Sequence, residues 1–438
     1  MVTSFDRRGR AADEDARREY EQIWSYLGSR AIKDVIDSPL MSDPETLATV
    51  DVLTKLAMSG LRTGLRASSG RPAALDRGMP SALFTDLNLL CLTICRAINL
   101  SLESGNCDAS CLADAAFGRI AGPRFGDYQM GFQFGQLGYE LVERRGLKRF
   151  QASTYLCFSA FGVRWMSHVR CCRDLVRRAF EAANEKGDLT PATYCGPHLN
   201  SDLLVAGDPL HEVQREAEHG LAFAQEAKFG LVIDLVTAQL ALIRTLRGLT
   251  PRFGCFDGGQ IEEFRFEHHL AGTPTLALAE CWYWVRKLQA RYLAGDYSAA
   301  MEASSKAQRL LWTSPGYFES AEYHFYSALA RAACCDAAPA GERQQHLESL
   351  AAHQRQLAVW AENCPENFEN RVALVSAEIA RIEGHELDAE RLYEQAIHSA
   401  SASGFVHNEA LANEVAARFY AARGFEKIAH AYLRDARY

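Results

Sequence analysis

The chain has 438 residues, of which 48% are hydrophobic and 23% charged, and its formal net charge is -8. This composition excludes an intrinsically disordered chain, and the acidic balance, with no Lys/Arg-rich run interleaved with aromatic residues, argues against nucleic acid as a partner. Because no secretory signal precedes the 13 cysteines and the longest apolar stretches are too short for a bilayer, we expect a cytoplasmic chain with reduced thiols and no membrane partner.

The N-terminal quarter of the sequence predicts two helices and a loop. Residues 1–12 are polar and without periodicity, which predicts an N-terminal arm. Apolar residues at helical spacing between Tyr20 and Leu27 then predict an amphipathic helix. Pro44, which follows Ser-Asp, is typical of a first helical position, where the missing N–H costs nothing. The stretch 59–80 is rich in Gly, Ser, Pro and Arg and predicts a mobile, exposed loop.

One spacing of small residues recurs along the chain: a turn residue is followed by a small residue five positions later and by another seven beyond that. The positions concerned are Gly126, Ser167, Gly207, Gly295, Ala300, Ala307, Gly384, Ala389, Ala396, Gly424, Ala429 and Ala436. Counting weaker turn signals near 85, 248 and 341, the turns lie 40 to 47 residues apart. Such a period indicates stacked helical hairpins, somewhat longer than the roughly 34 residues of a tetratricopeptide (TPR) repeat.

These patterns predict an all-α fold, a right-handed α-solenoid of stacked, TPR-like helical hairpins. We divide the array into an N-terminal half, 13–248, and a C-terminal half, 273–438, separated by an irregular insert at 249–272. The insert contains a cluster of aromatic residues that either plugs a groove, which we favour, or forms a binding patch: Phe253, Phe256, Phe264 and Phe266.

The sequence offers little for catalysis. It contains no phosphate-binding G-x-x-x-x-G-K-[ST] loop and no protein-kinase signature. The pairs Cys91/Cys95 and Cys107/Cys111 allow a zinc site, but four-residue spacing also places small apolar thiols on a buried helix face, which we favour. We therefore expect no catalytic residue, no cofactor and no metal, and no enzymatic activity.

Two clusters of residues are candidates for a pocket on the inner surface of the array. The first contains Tyr323, His324 and Tyr326, and the second contains His407 and Glu409. Each combines a titratable ring with polar or aromatic neighbours, which suits the binding of a partner or ligand. A hydrogen-bonded packing role is the alternative, and we favour it.

Several stretches resemble one family of signalling proteins. They include "SDPETLATVDVL", "FGDYQMGFQFGQLGYELVERRGL" and "GFVHNEALANEVAARFYAARGF". They are similar to the TPR-like region of large bacterial ATP-binding sensor histidine kinases, which lies between a predicted ATPase module and a GAF plus histidine-kinase module. The resemblance covers nearly the whole chain and implies that nucleotide and phosphoryl chemistry belongs to the neighbouring domains. The chain would then be a split, truncated or excised middle of such a protein.

We therefore expect a non-enzymatic scaffold of a two-component signal-transduction system that binds protein partners or adjoining ATPase, GAF or kinase domains. The open ends of a repeat array also favour self-association. The first alternative is a repeat domain that senses a ligand or peptide and switches an attached ATPase or kinase. A cryptic enzyme is the third possibility.

Overall fold

A computed structural model describes residues 2–59, 87–258, 261–336 and 339–437. Within these ranges the protein is helical and has no β-strand, only isolated bridges between Leu40 and Asn106 and between Gly258 and Ile261. The predicted all-α solenoid of stacked hairpins is confirmed. Among the described helices, none has the length and apolar character needed to cross a membrane.

Seven helices lie in the described residues up to Lys186. They are α1 (Val2–Leu27), α2 (Pro44–Ser59), α3 (Leu87–Ser104), α4 (Asp108–Phe125), α5 (Tyr128–Arg145), α6 (Gln151–Phe158) and α7 (Cys172–Lys186). A π-helical turn, Ser159–Val163, and a short helical turn, Arg164–Met166, continue α6. Single 3-10 turns lie at Ile32–Asp37 and Val169–Cys171.

Twelve more helices follow in the described part of the chain. They are α8 (Leu189–Val205), α9 (Leu210–Glu226), α10 (Gly230–Leu246), α11 (Glu263–Ala271), α12 (Ala277–Leu293), α13 (Tyr297–Leu310), α14 (Phe318–Cys335), α15 (Ala340–Asn363), α16 (Pro365–Glu383), α17 (Glu386–Ala402), α18 (Val406–Ala422) and α19 (Glu426–Asp435). Short 3-10 turns, Pro274–Leu276 and Leu311–Thr313, precede α12 and follow α13.

The N-terminal residues differ from the sequence expectation. Helix α1 begins at Val2, so the stretch 1–12 that we predict as an arm is helical from its second residue. Once the amphipathic part of a helix has formed, residues added at its end need no apolar periodicity. Helix α2 begins at Pro44 as expected and ends at Ser59. The rest of the predicted mobile loop 59–80, and the turn signal near 85, lie outside the described residues.

The chain forms two compact units. The N-terminal unit consists of Met1–Met166, Cys171–His198 and Gly220–Ile233, and the C-terminal unit of Ser167–Arg170, Leu199–His219 and Asp234–Tyr438. The units therefore change over within α8, α9 and α10, before the insert 249–272 at which the sequence analysis divides the array. The insert also contains a helix of its own, α11.

Both units are built from helical hairpins. In the N-terminal unit α4 packs on α5 and α6 packs on α7. In the C-terminal unit the hairpins are α12/α13, α14/α15, α16/α17 and α18/α19, and the first helices of successive hairpins pack on one another. Because every hairpin buries its first helix between two neighbours, these first helices carry the largest buried side chains of the C-terminal unit, Trp282, Arg286 and Arg371 among them.

The small residues of the repeat pattern have two kinds of environment. The glycines adopt positive φ at hairpin turns, a conformation that other residues rarely adopt: Gly126, Gly207, Gly295, Gly384 and Gly424. The alanines of the second helices are almost completely buried against the neighbouring helix: Ala300, Ala307, Ala389, Ala396 and Ala429.

Two positions depart from the pattern. Ser167 does not lead directly from one helix into the next, since it is followed by the 3-10 turn before α7. Ala436 is half-buried and lies just beyond the last residue of α19, so it caps the helix instead of packing on its inner face.

Candidate functional site

A cleft of about 300 Å³ lies among the C-terminal hairpins, bordered by α12, α14, α16 and α18. Most of its lining residues are close to hairpin turns: Tyr292, Tyr297, Leu329, Ala333, Asp336, Glu378, Arg381, Gly384, Glu386, Val415, Arg418, Phe419, Ala422 and Arg423. The repeat geometry thus brings together, from four hairpins, residues that are far apart in sequence.

The turn between α12 and α13 positions the two aromatic rings that line the cleft, Tyr292 and Tyr297. Gly295 has φ +73°, which reverses the chain after α12. The side chain of Asp296 then accepts a hydrogen bond from the backbone N–H of Ala299 at 3.2 Å and caps α13. This cap places Tyr297 at the start of α13, with its ring 5.7 Å from that of Tyr292.

One side of the cleft is a partly buried ion-pair cluster on α16. Arg381 contacts Glu378 at 3.0 Å and Asp336 at 2.8 Å, and the hydroxyl of Tyr393 donates to Glu378 at 2.5 Å. Burial opposes the charge on Arg381, but the two carboxylates outweigh it and raise the pKa of the guanidinium. Arg381 is therefore a fixed, neutralised charge.

Two arginines of α18 and its following turn are more open. Arg418 donates to the hydroxyl of Tyr297 at 2.6 Å and to Glu414 at 2.7 Å, and 40% of its side chain is exposed. Arg423 contacts Glu390 at 2.7 Å and also pairs with Glu386. The pair of Arg418 is exposed and that of Arg423 is half-buried. Ion pairs in contact with solvent exchange partners at little cost, so both guanidiniums can turn to a carboxylate of a bound segment.

The first predicted candidate cluster lies elsewhere, in the α14/α15 hairpin. The Nδ1 atoms of His324 and His353 are 3.0 Å apart, and the rings of Tyr323 and Trp360 pack around them. Burial lowers the pKa of His324 to about 4. Burial, with help from His324 and Arg331, lowers the pKa of His353 to about 3. The two rings are therefore neutral at pH 7 and share one proton between facing nitrogens.

The remaining candidates occupy two further places. Tyr326 is buried, with its ring 5.8 Å from that of Tyr292 behind the cleft wall. His407 and Glu409 lie in the first turn of α18, where burial lowers the pKa of His407 to about 3. The ring of His407 lies against Gly207, and a Cβ added at Gly207 would be 2.6 Å from the His407 Nδ1 atom. The fold thus separates the five candidates, and none of them lines the cleft.

A buried polar network in the C-terminal unit has no counterpart in the sequence analysis. Arg286 on α12 contacts Glu319 on α14 at 2.7 Å, and Glu322 on α14 contacts Arg371 on α16 at 2.8 Å. Ser201 on α8 donates to Glu319 at 2.5 Å. All four charged side chains are at most 5% exposed. The network ties three successive hairpins together in the interior of the unit.

The members of this network are not recognisable from the sequence. Arg286 stands between Val285 and Lys287, off the apolar face of the helix, so it has the pattern of an ordinary surface charge. In addition, Arg286 and Glu319 are 33 residues apart, whereas Glu322 and Arg371 are 49 apart. Neither separation equals the repeat period, so periodicity alone does not identify the partners.

The four cysteines of the zinc interpretation are buried in the N-terminal unit. Cys91 and Cys95 lie on α3, while Cys107 caps α4 and Cys111 lies within it. Burial raises the pKa of Cys95 and of Cys111, which opposes formation of the thiolate that a metal requires.

A different group in the insert does bring metal-type ligands together. The sulfur of Cys255 and carboxylate oxygens of Asp257 and Glu263 lie within 4.8 Å of one another, and no other such group of three occurs in the described ranges. Lys287 and Arg291 contact Glu263 at 2.5 and 3.1 Å, and burial raises the pKa of the Cys255 thiol. Because Lys287 and Arg291 already neutralise the Glu263 carboxylate, we interpret the group as a set of hydrogen bonds that holds the insert together.

Some aromatic residues of the insert are packed inside the protein, as expected for a plug, and others are exposed, as expected for a binding patch. Phe256 is 1% exposed, and its ring lies 5.6 Å from that of Tyr283. Phe266 also packs on Tyr283, at 5.5 Å. Phe264, in contrast, is 81% exposed and Phe253 is 50% exposed. Phe256 thus fills the interior, half-buried Phe266 packs beside it, and the other two rings remain available on the surface.

Comparison with known proteins identifies the C-terminal repeats. Residues 255–423 match the model of a family described as CHK1-like, TPR repeats. A stretch of 172 residues, 39% of this chain, is 27% identical to hybrid signal transduction histidine kinase G of Dictyostelium discoideum and covers 5% of that protein. The chain therefore spans only a small part of this relative's length. The matched region is TPR-like, in agreement with the predicted helical repeat.

Among solved structures, the chain is similar to a circular tandem repeat protein with novel repeat topology and enhanced subunit contact surfaces. That comparison covers 89% of this chain and 96% of the other, with 11% sequence identity and a TM-score of 0.20. This TM-score is too low for conclusions about a shared architecture.

Proposed function

We propose that this chain is a non-enzymatic, cytoplasmic scaffold of a sensor-kinase signalling system and that it binds protein partners, or adjoining ATPase, GAF or kinase domains, through its C-terminal repeats. The observation that carries the proposal is the coincidence of the TPR-like region, 255–423, with the cleft lined by Tyr297, Arg418 and Arg423. The similarity to a histidine kinase supports a role in signal transduction.

The chemistry of the cleft supports recognition of a protein segment that carries carboxylates. Aromatic rings and arginines are the side chains that most often dominate protein interfaces. Arg418 and Arg423 are held by carboxylates of the protein itself, so a bound acidic side chain can replace Glu414 or Glu390. Such an exchange keeps each arginine paired with a carboxylate, so an acidic segment is favoured over a basic or neutral one at a small cost in free energy.

The test titrates purified ATPase, GAF and kinase domains of a sensor histidine kinase against the full chain by calorimetry. Arg418→Glu should weaken binding about tenfold or more, the usual effect of losing a central arginine anchor. Arg265→Glu is the matched control, because Arg265 is a surface arginine with an 81% exposed side chain that does not line the cleft. Equal affinity of both variants would contradict the assignment of the cleft.

The second candidate is a repeat domain that senses a small ligand or peptide and switches an attached ATPase or kinase. The volume of about 300 Å³ favours it, since this is the lower end of the range of ligand pockets. A thermal-shift screen of metabolites and short acidic peptides should then give a saturable rise in Tm that Arg418→Glu removes. Absence of any stabilising compound would leave the scaffold as the better explanation.

We also propose that the C-terminal hairpin supports self-association. Around α19, Phe425, Ile428 and Leu433 are 46%, 41% and 38% exposed, while Ala429 of the same helix is buried. Together they form an apolar face of the kind that mediates contacts between proteins. Light scattering should show a concentration-dependent dimer that Ile428→Glu dissociates, whereas a strictly monomeric chain at high concentration would exclude it.

A further inference from the structure

The segment Ser167–Arg170, here called the clasp segment, is part of the C-terminal unit and is held by residues roughly 200 positions later in the sequence. The side-chain amide of Asn367, near the start of α16, makes two hydrogen bonds with its backbone. The Oδ1 atom accepts from the N–H of Val169 at 3.0 Å, and Nδ2 donates to the carbonyl of Ser167 at 2.9 Å. The segment is therefore docked by its backbone, as a strand would be.

Arg170 attaches the same segment to two hairpin turns. Its Nη2 atom donates to the carbonyl of Gly404 at 2.8 Å, in the turn between α17 and α18. It also donates to the carbonyl of Ala206 at 3.3 Å, in the turn between α8 and α9. Gly404 has φ +71°, a conformation that favours glycine, and a Cβ at this position would lie 2.7 Å from Nη1 of Arg170, so the guanidinium would have to shift.

The two ring nitrogens of His168 each make a hydrogen bond to a backbone group, and together these bonds define its tautomer. Its Nε2 atom bonds to the carbonyl of Ser403 at 2.9 Å, which requires a proton on Nε2. Its Nδ1 atom lies 3.2 Å from the backbone nitrogen of Arg170 and accepts its N–H, which requires Nδ1 to be free of a proton. The ring also stacks on Phe405 at 5.0 Å. These partners select the neutral tautomer with hydrogen on Nε2.

We propose that Ser167–Arg170 is a releasable clasp on the C-terminal hairpins, closed by the hydrogen bonds of Asn367, His168 and Arg170 and opened as one unit. Apart from the buried bond between Val169 and Asn367, the hydrogen bonds of the segment are part-buried or exposed, as expected for a segment that opens locally while the helices stay folded. The clasp is a conformational device of the repeat array, and it is independent of the proposed partner-binding cleft.

The test is hydrogen–deuterium exchange of the full chain, resolved to single residues, at pH 7.5. Arg170→Ala touches neither atom of the bond between Val169 N–H and Asn367. If the segment opens as one unit, the variant accelerates exchange of the Val169 amide about tenfold, the effect of losing one hydrogen bond to a charged group. The surface variant Arg434→Ala should leave this amide unchanged. An Arg170→Ala rate within about twofold of the wild type would overturn the cooperative clasp.

A second variant keeps the proposal testable if Arg170→Ala does not fold. Arg170→Lys keeps the charge but lacks the planar fork, so it should accelerate exchange at Val169 by less than Arg170→Ala does. Helical circular dichroism should be unchanged in both. Loss of helical signal in the lysine variant as well would mean that the segment is an obligate part of the fold, which contradicts release.

The role of the His168 ring is tested separately at pH 7.5. His168→Phe keeps an aromatic ring that can stack on Phe405 but lacks both ring nitrogens, so it should accelerate exchange of the Val169 amide. Exchange at the wild-type rate would show that His168 does not hold the clasp closed.

Discussion

In the α4–α5 hairpin of the N-terminal unit the two helix backbones touch, whereas the first helices of the C-terminal hairpins are kept apart by long charged side chains. A Cβ at Gly138 would lie 2.3 Å from the carbonyl oxygen of Cys111, and one at Gly131 would lie 2.9 Å from the Cα of Gly118. Between α12, α14 and α16, by contrast, arginines and glutamates fill the space. The two interfaces are therefore sensitive to different substitutions. The α4–α5 interface is destabilised by added side-chain volume, whereas the interface between α12, α14 and α16 is destabilised by the loss of one charge of a pair.

The largest effect is expected in the polar interface. Arg286→Met should lower the free energy of unfolding by about 3–5 kcal/mol, because it leaves the Glu319 carboxylate buried without its cation. The double variant Arg286→Met, Glu319→Leu should recover most of the loss, since an apolar pair of similar volume replaces both charges. Urea denaturation measures both, and Arg434→Met, at a 70% exposed side chain, is the control. If the double variant were as unstable as the single one, apolar packing could not replace the ion pair.

Acid should affect the two regions in opposite directions. Because burial lowers the pKa of His324 to about 4 and that of His353 to about 3, the unfolded α14/α15 hairpin binds more protons than the folded one below about pH 6.5. Its stability should therefore fall as the pH falls, on the order of 3 kcal/mol between pH 7 and pH 5. Burial raises the pKa of Asp114 on α4, so this carboxylate binds a proton more readily in the folded hairpin than in the unfolded chain. The α4–α5 hairpin should therefore become more stable as the pH falls.

Hydrogen exchange at pH 5 and pH 7, corrected for chemical exchange, resolves these two responses within one sample. The control is the double variant His324→Phe, His353→Leu, in which the acid sensitivity of α14 and α15 should disappear while that of α4 and α5 stays. Parallel destabilisation of both hairpins in acid would show that net charge, and not these buried groups, controls the response.

The backbone contact predicts a smaller but definite effect of volume. Gly138→Ala should cost about 1–3 kcal/mol, since the added methyl group meets a backbone carbonyl that cannot move aside. Gly341→Ala is the matched control on α15, where a Cβ meets nothing within 4 Å and helix propensity should add up to about 1 kcal/mol. Thermal unfolding compares them, and an equal Tm for both variants would mean that α4 and α5 can separate without loss.

The smallest effect distinguishes two carboxylates of the α4–α5 hairpin. Asp114→Asn should raise stability at pH 7 by about 1 kcal/mol, because burial disfavours the charged form of this side chain and raises its pKa. Asp127→Ala should lower it by a similar amount, about 1 kcal/mol, because the Asp127 side chain caps α5 by accepting from the N–H of Met130 at 3.0 Å. Urea midpoints that shift in the same direction would contradict this distinction.

Local sequence signals predicted the repeating elements well. Gly295 and Gly384 stand at positive-φ turns, and Ala300 and Ala389 are buried where the next helix approaches. These properties depend on neighbours within one hairpin, so residue type and spacing are sufficient to indicate them. The extent of helix α1 was not predictable in this way, because its first residues have no apolar periodicity.

The candidate site was less predictable from sequence. The residue types Tyr323, His324, Tyr326, His407 and Glu409 suggested a groove, yet the fold distributes them over three places, and the cleft is lined by other residues. Arg418 and Arg423 are ordinary surface charges in the sequence. Only the stacking of hairpins brings them opposite Tyr297.

The sequence by itself determined that this protein is a helical repeat array, since turn glycines, buried alanines and apolar stripes act over fewer than about ten residues, within the range of local backbone sterics and helix periodicity. Tertiary structure alone decided which charges pair in the interior, how Asn367 and Arg170 hold the clasp segment, and where the cleft opens. These features join groups that are tens to hundreds of residues apart, and their geometry depends on the exact stacking of neighbouring hairpins.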